Sequence, residues 1–291
     1  MRKVFISNLT IILSLNFLLL VSCGQKPNYE MISQQNSLHP IDIIYIDKKT
    51  EELLGAFPLD RNYYAQILNS IESSHPKFVV LKFFFDKITE SDKILSQQNN
   101  KFRNVLTQST SYLQPLSEVS QNQIENVSVQ LEANSLPEGD SILLPNSVLF
   151  ESFLAIGQVD FKIDNNEYID CPLATSVTGN VIPSLALRIA MLITGSDPMW
   201  VENSITLKGH SLSDEKGNMR INLSEPEALY PTYSFIDVLE SEPGDYDFKD
   251  KIVIVFVDNA SIRSISSQYE RSHNPAEIVA DSINSILMKV Q

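Results

Sequence analysis

The chain has 291 residues, 43% of them hydrophobic, enough apolar material for one large α/β domain or two small ones. Its 36 acidic residues against 22 basic ones give a net charge of −14. Such a surface repels phosphate backbones and anionic lipid, which excludes a nucleic-acid partner.

At the start of the chain, Arg2 and Lys3 precede an apolar stretch from Leu9 to Val21. It is too short for the roughly 20 residues that span a bilayer and reads as the core of a signal peptide. The run Leu20-Val21-Ser22-Cys23-Gly24 behind it resembles the lipobox of bacterial lipoproteins. That resemblance implies that residues 1–22 are removed and that Cys23 carries a thioether-linked diacylglycerol and an N-linked acyl chain of the palmitate type. Two or more chains anchor stably where one is marginal, so the expected place is the cell envelope, lipid-anchored to a membrane without spanning it. Gly24, where an aspartate would favour inner-membrane retention, tips the expectation toward the outer membrane. Without Arg2 and Lys3 the mature chain keeps 20 basic and 36 acidic residues, or about −16. With Cys23 acylated, Cys171 is the only thiol left, so no internal disulfide forms and stability must come from a core.

Residues 23–39, rich in Gln, Asn, Ser and Pro, read as the lipidated cysteine and a flexible tether; residues 40–291 read as the folded domain. Ile41 to Ile46 is an apolar run that stops at Asp47, a buried strand followed by a loop. Pro58 breaks the chain, Asp60 can cap, and Tyr63, Tyr64, Ile67, Leu68 and Ile71 recur at helical spacing. His75-Pro76 ends that helix, and Phe78 to Phe85 is a second apolar strand, parallel to the first because a crossover of this length returns the chain in the same direction. Residues 88–125 are polar, with only a thin helical stripe through Ile94, Phe102, Val105, Leu106, Tyr112 and Leu113. Val127 to Leu131 alternates like a strand, and Ile156 to Ile163 with Tyr168 to Leu173 reads as a hairpin. Ile182 to Ile193 reads as a helix with Pro183 in its first turn and Gly195 past its end. Two short strands follow at Ser204 to Leu207 and Met219 to Leu223. A short helix then runs from Ser234 to Leu239, a buried strand from Lys251 to Val257, and an amphipathic helix from Pro275 to Met288. The expected class is α/β, a single mixed, largely parallel sheet flanked by helices.

The order of short motifs resembles the type-two CHASE domain, an extracellular sensory domain. Ile46-Asp47, Leu54-Gly55, Phe57-Pro58 and Arg61 match its opening segment. Ile156-Gly157-Gln158-Val159, Asp164, Cys171-Pro172-Leu173 and Pro183-Ser184-Leu185-Ala186 match its middle. Met219-Arg220-Ile221-Asn222, Tyr233-Ser234, Asp237-Val238, Lys251-Ile252-Val253-Ile254 and Ala280 to Leu287 match its later part. Three departures stand out: Lys82 occupies a position where the family usually has an aspartate, Val257-Asp258 replaces a strand-ending glycine, and the following aspartate and Thr-Pro step are missing between Ser261 and Asn274. In the usual architecture, transmembrane helices and a cytoplasmic catalytic domain come next. This chain ends at Gln291, so the expectation is a module without an output domain of its own.

No catalytic constellation is present: there is no G-x-S-x-G elbow, H-E-x-x-H, phosphate-cradling glycine loop or C-x-x-C pair. The expectation is therefore a non-enzyme with no cofactor and no metal. His39, His75, His210 and His273 are scattered beside turn signals and read as solvated loop residues, and Cys171 reads as a small core residue. The ligand-binding candidates are Asp47, Arg61, Asp86 and Asp258. Asp47 and Asp258 end parallel strands, where open α/β sheets place ligand groups. A guanidinium at Arg61 facing carboxylates fixes a small polar ligand or, as the favoured reading, makes a structural ion pair. Asn222 and Asp237 are explained by caps and turns. Expected partners are the membrane through the lipid anchor, a small polar ligand, and a membrane or periplasmic protein; the alternative is a non-catalytic interaction lipoprotein that kept the fold and lost the pocket.

Overall fold

A computed structural model of the protein describes residues 40–111, 119–133, 135–164, 168–222, 230–258, 265–266 and 272–291. The signal segment, Cys23, the tether and His39 lie outside the described residues. The main sheet has six strands, all parallel: β1 (Ile41–Ile46), β2 (Phe78–Leu81), β3 (Val105–Ser109), β4 (Ala155–Gln158), β5 (Thr232–Ser234) and β6 (Ile252–Val257), in the spatial order β5-β1-β6-β2-β3-β4. β1 and β6 pair along their whole length, Ile41 against Ile252 through Ile46 against Val257. Every residue of both is buried, as their continuous apolar sequences require of strands covered on two faces.

Seven helices are described: α1 (Lys48–Leu54), α2 (Arg61–Ile71), α3 (Asp92–Phe102), α4 (Gln121–Val127), α5 (Leu185–Thr194), α6 (Phe235–Leu239) and α7 (Pro275–Val290). α2 packs on α3 and α6, while α5 packs on α7 and on β4. Among the described residues, antiparallel ladders are confined to small separate sheets, among them Lys162–Asp164 with Tyr168–Pro172 and Asn218–Asn222, and Met199–Val201 with Ser204–Leu207 and His210–Ser211. None of the described helices is long and apolar enough to cross a membrane.

Several elements differ from the sequence expectations: the expected hairpin arm Ile156 to Ile163 is split, with Ala155–Gln158 joining the main sheet as β4 and only Lys162–Asp164 pairing with Tyr168–Pro172. The loop after Asp47 is helix α1, whose N-cap is Asp47 itself. The strand expected at Val127 to Leu131 is mostly absent, because Ser120 and Gln123 form a capping box that starts α4 and carries it to Val127; only Val129 bridges to Val181. Pro183 belongs to strand Asn180–Pro183, not to a first helical turn, and α5 begins only where the Ser184 hydroxyl accepts from the Leu187 amide at 3.1 Å. Strand β3 sits inside the polar stretch that offered only a helical stripe. α3 stops at Arg103, which takes a left-handed conformation (φ 64°), and the chain turns straight into the sheet.

Candidate functional site

The C-terminal ends of the parallel strands form a rim, the usual place for ligand groups in an open α/β sheet. Asp47 and Asp258 sit there together, since the Asp258 amide donates to the Ile46 carbonyl at 2.9 Å. Their side chains have different surroundings. Asp47 Oδ1 accepts from the Thr50 amide (2.9 Å), the Thr50 hydroxyl (2.7 Å) and the Ser234 hydroxyl (3.0 Å), tying the end of β1 to the start of α6. Partial burial raises its pKa, but these hydrogen bonds outweigh it and hold the carboxyl below its usual value. Asp258 is exposed.

Arg61 opens α2 but turns inward. Its guanidinium lies 4.5 Å from the Phe85 ring centroid, and Nε is 3.4 Å from Asp92 Oδ1, an ion-pair contact and not a hydrogen bond. Asp92 is fully buried and accepts from the Thr89 amide and hydroxyl and from the Asn146 side chain, each at 2.9 Å. Asp86, five residues past the end of β2, is half-buried. The four candidates therefore do not converge: Asp47 is bound to Thr50 and Ser234, Arg61 to Asp92, and Asp258 faces outward. Asp237 accepts from Lys49 at the surface, and the side chain of Asn222 lies outside the described residues.

Two rim features carry no motif. Asp160, just past β4, is buried and accepts from the Thr110 hydroxyl and from the Ser111 amide (2.9 Å) and hydroxyl (2.6 Å); its own amide donates to Gln158 Oε1 at 2.7 Å. Beside it is a cavity of about 20 Å³ lined by Gln158, Asp160, Cys171, Met219, Ile278 and Ser282, room for about one water. Burial pushes the Cys171 thiol up to about 12 despite the Ser282 hydroxyl at 3.7 Å, which keeps it protonated and inert, as a core cysteine should be. The second feature is Lys82, one residue past β2 and 5% exposed, with its ammonium 4.2 Å over the Phe256 ring. Burial pushes its pKa down to about 7. Nothing but the resemblance made this residue stand out in the sequence.

His75 lies in a left-handed turn and His210 on an exposed short strand; among the described residues no three metal-ligating side chains come together. His75 borders an open cavity of about 210 Å³ with Glu72, Lys101 and Asn104, at the opposite end of the strands from the rim.

A family comparison matches nearly the whole chain: the CHASE2 domain model covers residues 10–291. The chain belongs to the CHASE2 family. CHASE2 is a sensory domain of the extracellular type. No curated protein and no solved structure matches the chain. This CHASE2 domain thus joins an all-parallel six-stranded sheet to a rim where most polar groups are internally satisfied and Lys82 is not.

Lys82 makes a testable contribution to pH dependence. Its folded pKa lies below the ordinary 10.5, so between about pH 7 and 10.5 the unfolded chain binds more protons and stability rises with pH. Below about pH 7 the contribution is flat and unfavourable. Lys82→Met is expected to raise stability most at and below pH 7, by several kcal/mol at about 1.4 kcal/mol per pH unit of displacement. The gain should shrink toward pH 10.5. Denaturant unfolding of both proteins across this range checks it, and parallel curves would show that Lys82 keeps its ordinary pKa.

Proposed function

We propose that the protein is a non-catalytic, lipid-anchored sensory module of the cell envelope that binds a small polar ligand and passes its state to a separate membrane or envelope protein. The match of a sensory family over residues 10–291 carries this reading. The lipobox at Leu20 to Gly24 supplies the anchor, and the acidic charge suits an exported surface. An acyl anchor does not cross the bilayer, so a signal from the domain needs a second protein.

Cys23→Ser tests the anchor. The wild-type chain is expected to take up labelled palmitate and to partition into the detergent phase, and the variant to lose both. A variant that stays in the detergent phase would sink the proposal. Crosslinking in intact cells tests the partner, with and without the anchor.

A second reading draws on the hydrogen bonds that hold Asp47 within the fold, on the ion pair that holds Arg61 against buried Asp92, and on the edge strand Met199–Val201, whose Met199 and Val201 side chains are exposed. A protein that lost its pocket and works through contacts would use such an edge. Substituting both with serine would then abolish partner capture, whereas under the sensory reading it leaves ligand response intact.

A further inference from the structure

Four neighbouring strands contribute side chains to one row across the rim. Tyr45 on β1 is in register with Phe256 on β6. Lys82 follows the Leu81–Val255 pair and lays its ammonium on the Phe256 ring. Gln108 on β3 follows Thr107, which pairs with Leu81, and so continues the row beside Lys82. The row faces α7 and the start of α5: the charge of Glu277 in the first turn of α7 acts on the Tyr45 hydroxyl, and Gly157, in register with Gln108, lies against the backbone of Leu185.

All three polar members of the row are buried. The Tyr45 hydroxyl and Gln108 Oε1 have no hydrogen-bond partner. Among the described residues, the Lys82 ammonium has only the Phe256 ring. Buried polar groups are almost always satisfied, and one orphan already calls for a ligand, ion or water. Here two orphans share one row with the Lys82 side chain at the C-terminal ends of the strands, and the Ser109 hydroxyl next to Gln108 is a further one, while Asp160 is satisfied by Thr110 and Ser111 and the Thr107 hydroxyl by the Leu81 and Phe83 carbonyls. Adjacent strands are ~4.8 Å apart, so Tyr45 and Lys82 start about 10 Å apart across β6, and the lean of Lys82 over Phe256 narrows that gap.

We propose that this row binds a small hydroxyl-bearing oxyanion, with the Lys82 ammonium and Tyr45 hydroxyl donating to its oxygens and Gln108 Oε1 accepting from its hydroxyl. Lysine and tyrosine supply donors, lysine the only positive charge, and the glutamine oxygen an acceptor that a bare carboxylate leaves unused. The groups facing the row limit the charge it accepts. Glu277, whose carboxylate takes the Asn274 amide at 2.9 Å, and exposed Asp258 both act on Tyr45, and neither forms an ion pair with Lys82 among the described residues. Two carboxylates acting on Tyr45 and a single ammonium in the row favour a singly charged ligand, of the kind that dihydrogenphosphate and bicarbonate represent. Binding holds Lys82 protonated, so affinity should fall as pH rises above about 7.

The proposal deepens the sensory reading by naming a ligand class and a site. Isothermal calorimetry on the full chain in detergent tests it, with inorganic phosphate, bicarbonate and acetate titrated at pH 6.5 against chloride of equal ionic strength. Saturable binding of phosphate or bicarbonate is expected, with acetate weaker. Lys82→Met should abolish it, Tyr45→Phe should weaken it about tenfold for one lost hydrogen bond, and the wild-type affinity should drop between pH 6.5 and 8.5. A folded Lys82→Met variant that binds as wild type does, or no saturable heat with any of the three, overturns the proposal and leaves the row to water. The thermal midpoint of each variant separates lost binding from lost folding. Because the readout is direct binding, failure here leaves the anchor and partner tests standing, and failure of those leaves this result standing.

Discussion

Arg61→Ala is expected to cost about 3–5 kcal/mol of stability, to the same extent with and without added metabolites. Among the described residues, the guanidinium is the only cation set against Asp92, a buried carboxylate. Removing it strands a buried charge that three hydrogen bonds from Thr89 and Asn146 solvate only in part. It also takes away the cation over Phe85 and opens space at the head of α2. Denaturant unfolding reads the loss. Replacing both partners, Arg61→Met with Asp92→Leu, should recover much of it, because apolar packing often matches a buried pair once neither charge is left alone. An Arg61→Ala variant of unchanged stability would release the guanidinium from this structural role and return it to the ligand candidates.

Gly157→Ala is the second large effect, expected at about 3–4 kcal/mol, or roughly 10 °C in the midpoint of a domain this size. A Cβ at this position would lie 2.4 Å from the Leu185 Cα, 2.6 Å from the Leu185 nitrogen and 3.0 Å from the Ser184 carbonyl carbon. All three are backbone atoms at the start of α5, so no rotamer change relieves the clash. The helix would have to lift from the edge of the sheet, and the parallel bridge between Gln158 and Ser184 would go with it. Thermal unfolding decides: a shift under a few degrees would mean that α5 can slide at little cost.

Much of the fold is written in residue pattern. Ile41 to Ile46 and Ile252 to Val257 are apolar without interruption because parallel strands are buried on both faces, and such runs are conspicuous. α2 and α7 show helical spacing together with Asp60 and Asn274 as caps. β3 is concealed for the opposite reason. Its Thr107, Gln108 and Ser109 are fully enclosed yet polar, so no hydrophobic pattern marks them. The rim follows the same division. Asp47 and Asp258 could be placed at strand ends from the runs that precede them, but the direction in which Arg61 turns depends on Asp92, thirty-one residues on. Lys82 and Tyr45 acquire their meaning only from the register that sets them on either side of Phe256.

The order of the sheet also governs when it can form. β6 lies between β1 and β2, yet it is encoded some 170 residues after β2. Until residues 252–257 emerge, the two most apolar early strands have no shared neighbour, and the centre of the core is an open slot. Contacts of such long sequence separation close late, after the entropy of the intervening chain has been overcome. For the envelope location proposed above, this order would let most of the chain stay threadable until the last strand of the main sheet is synthesised.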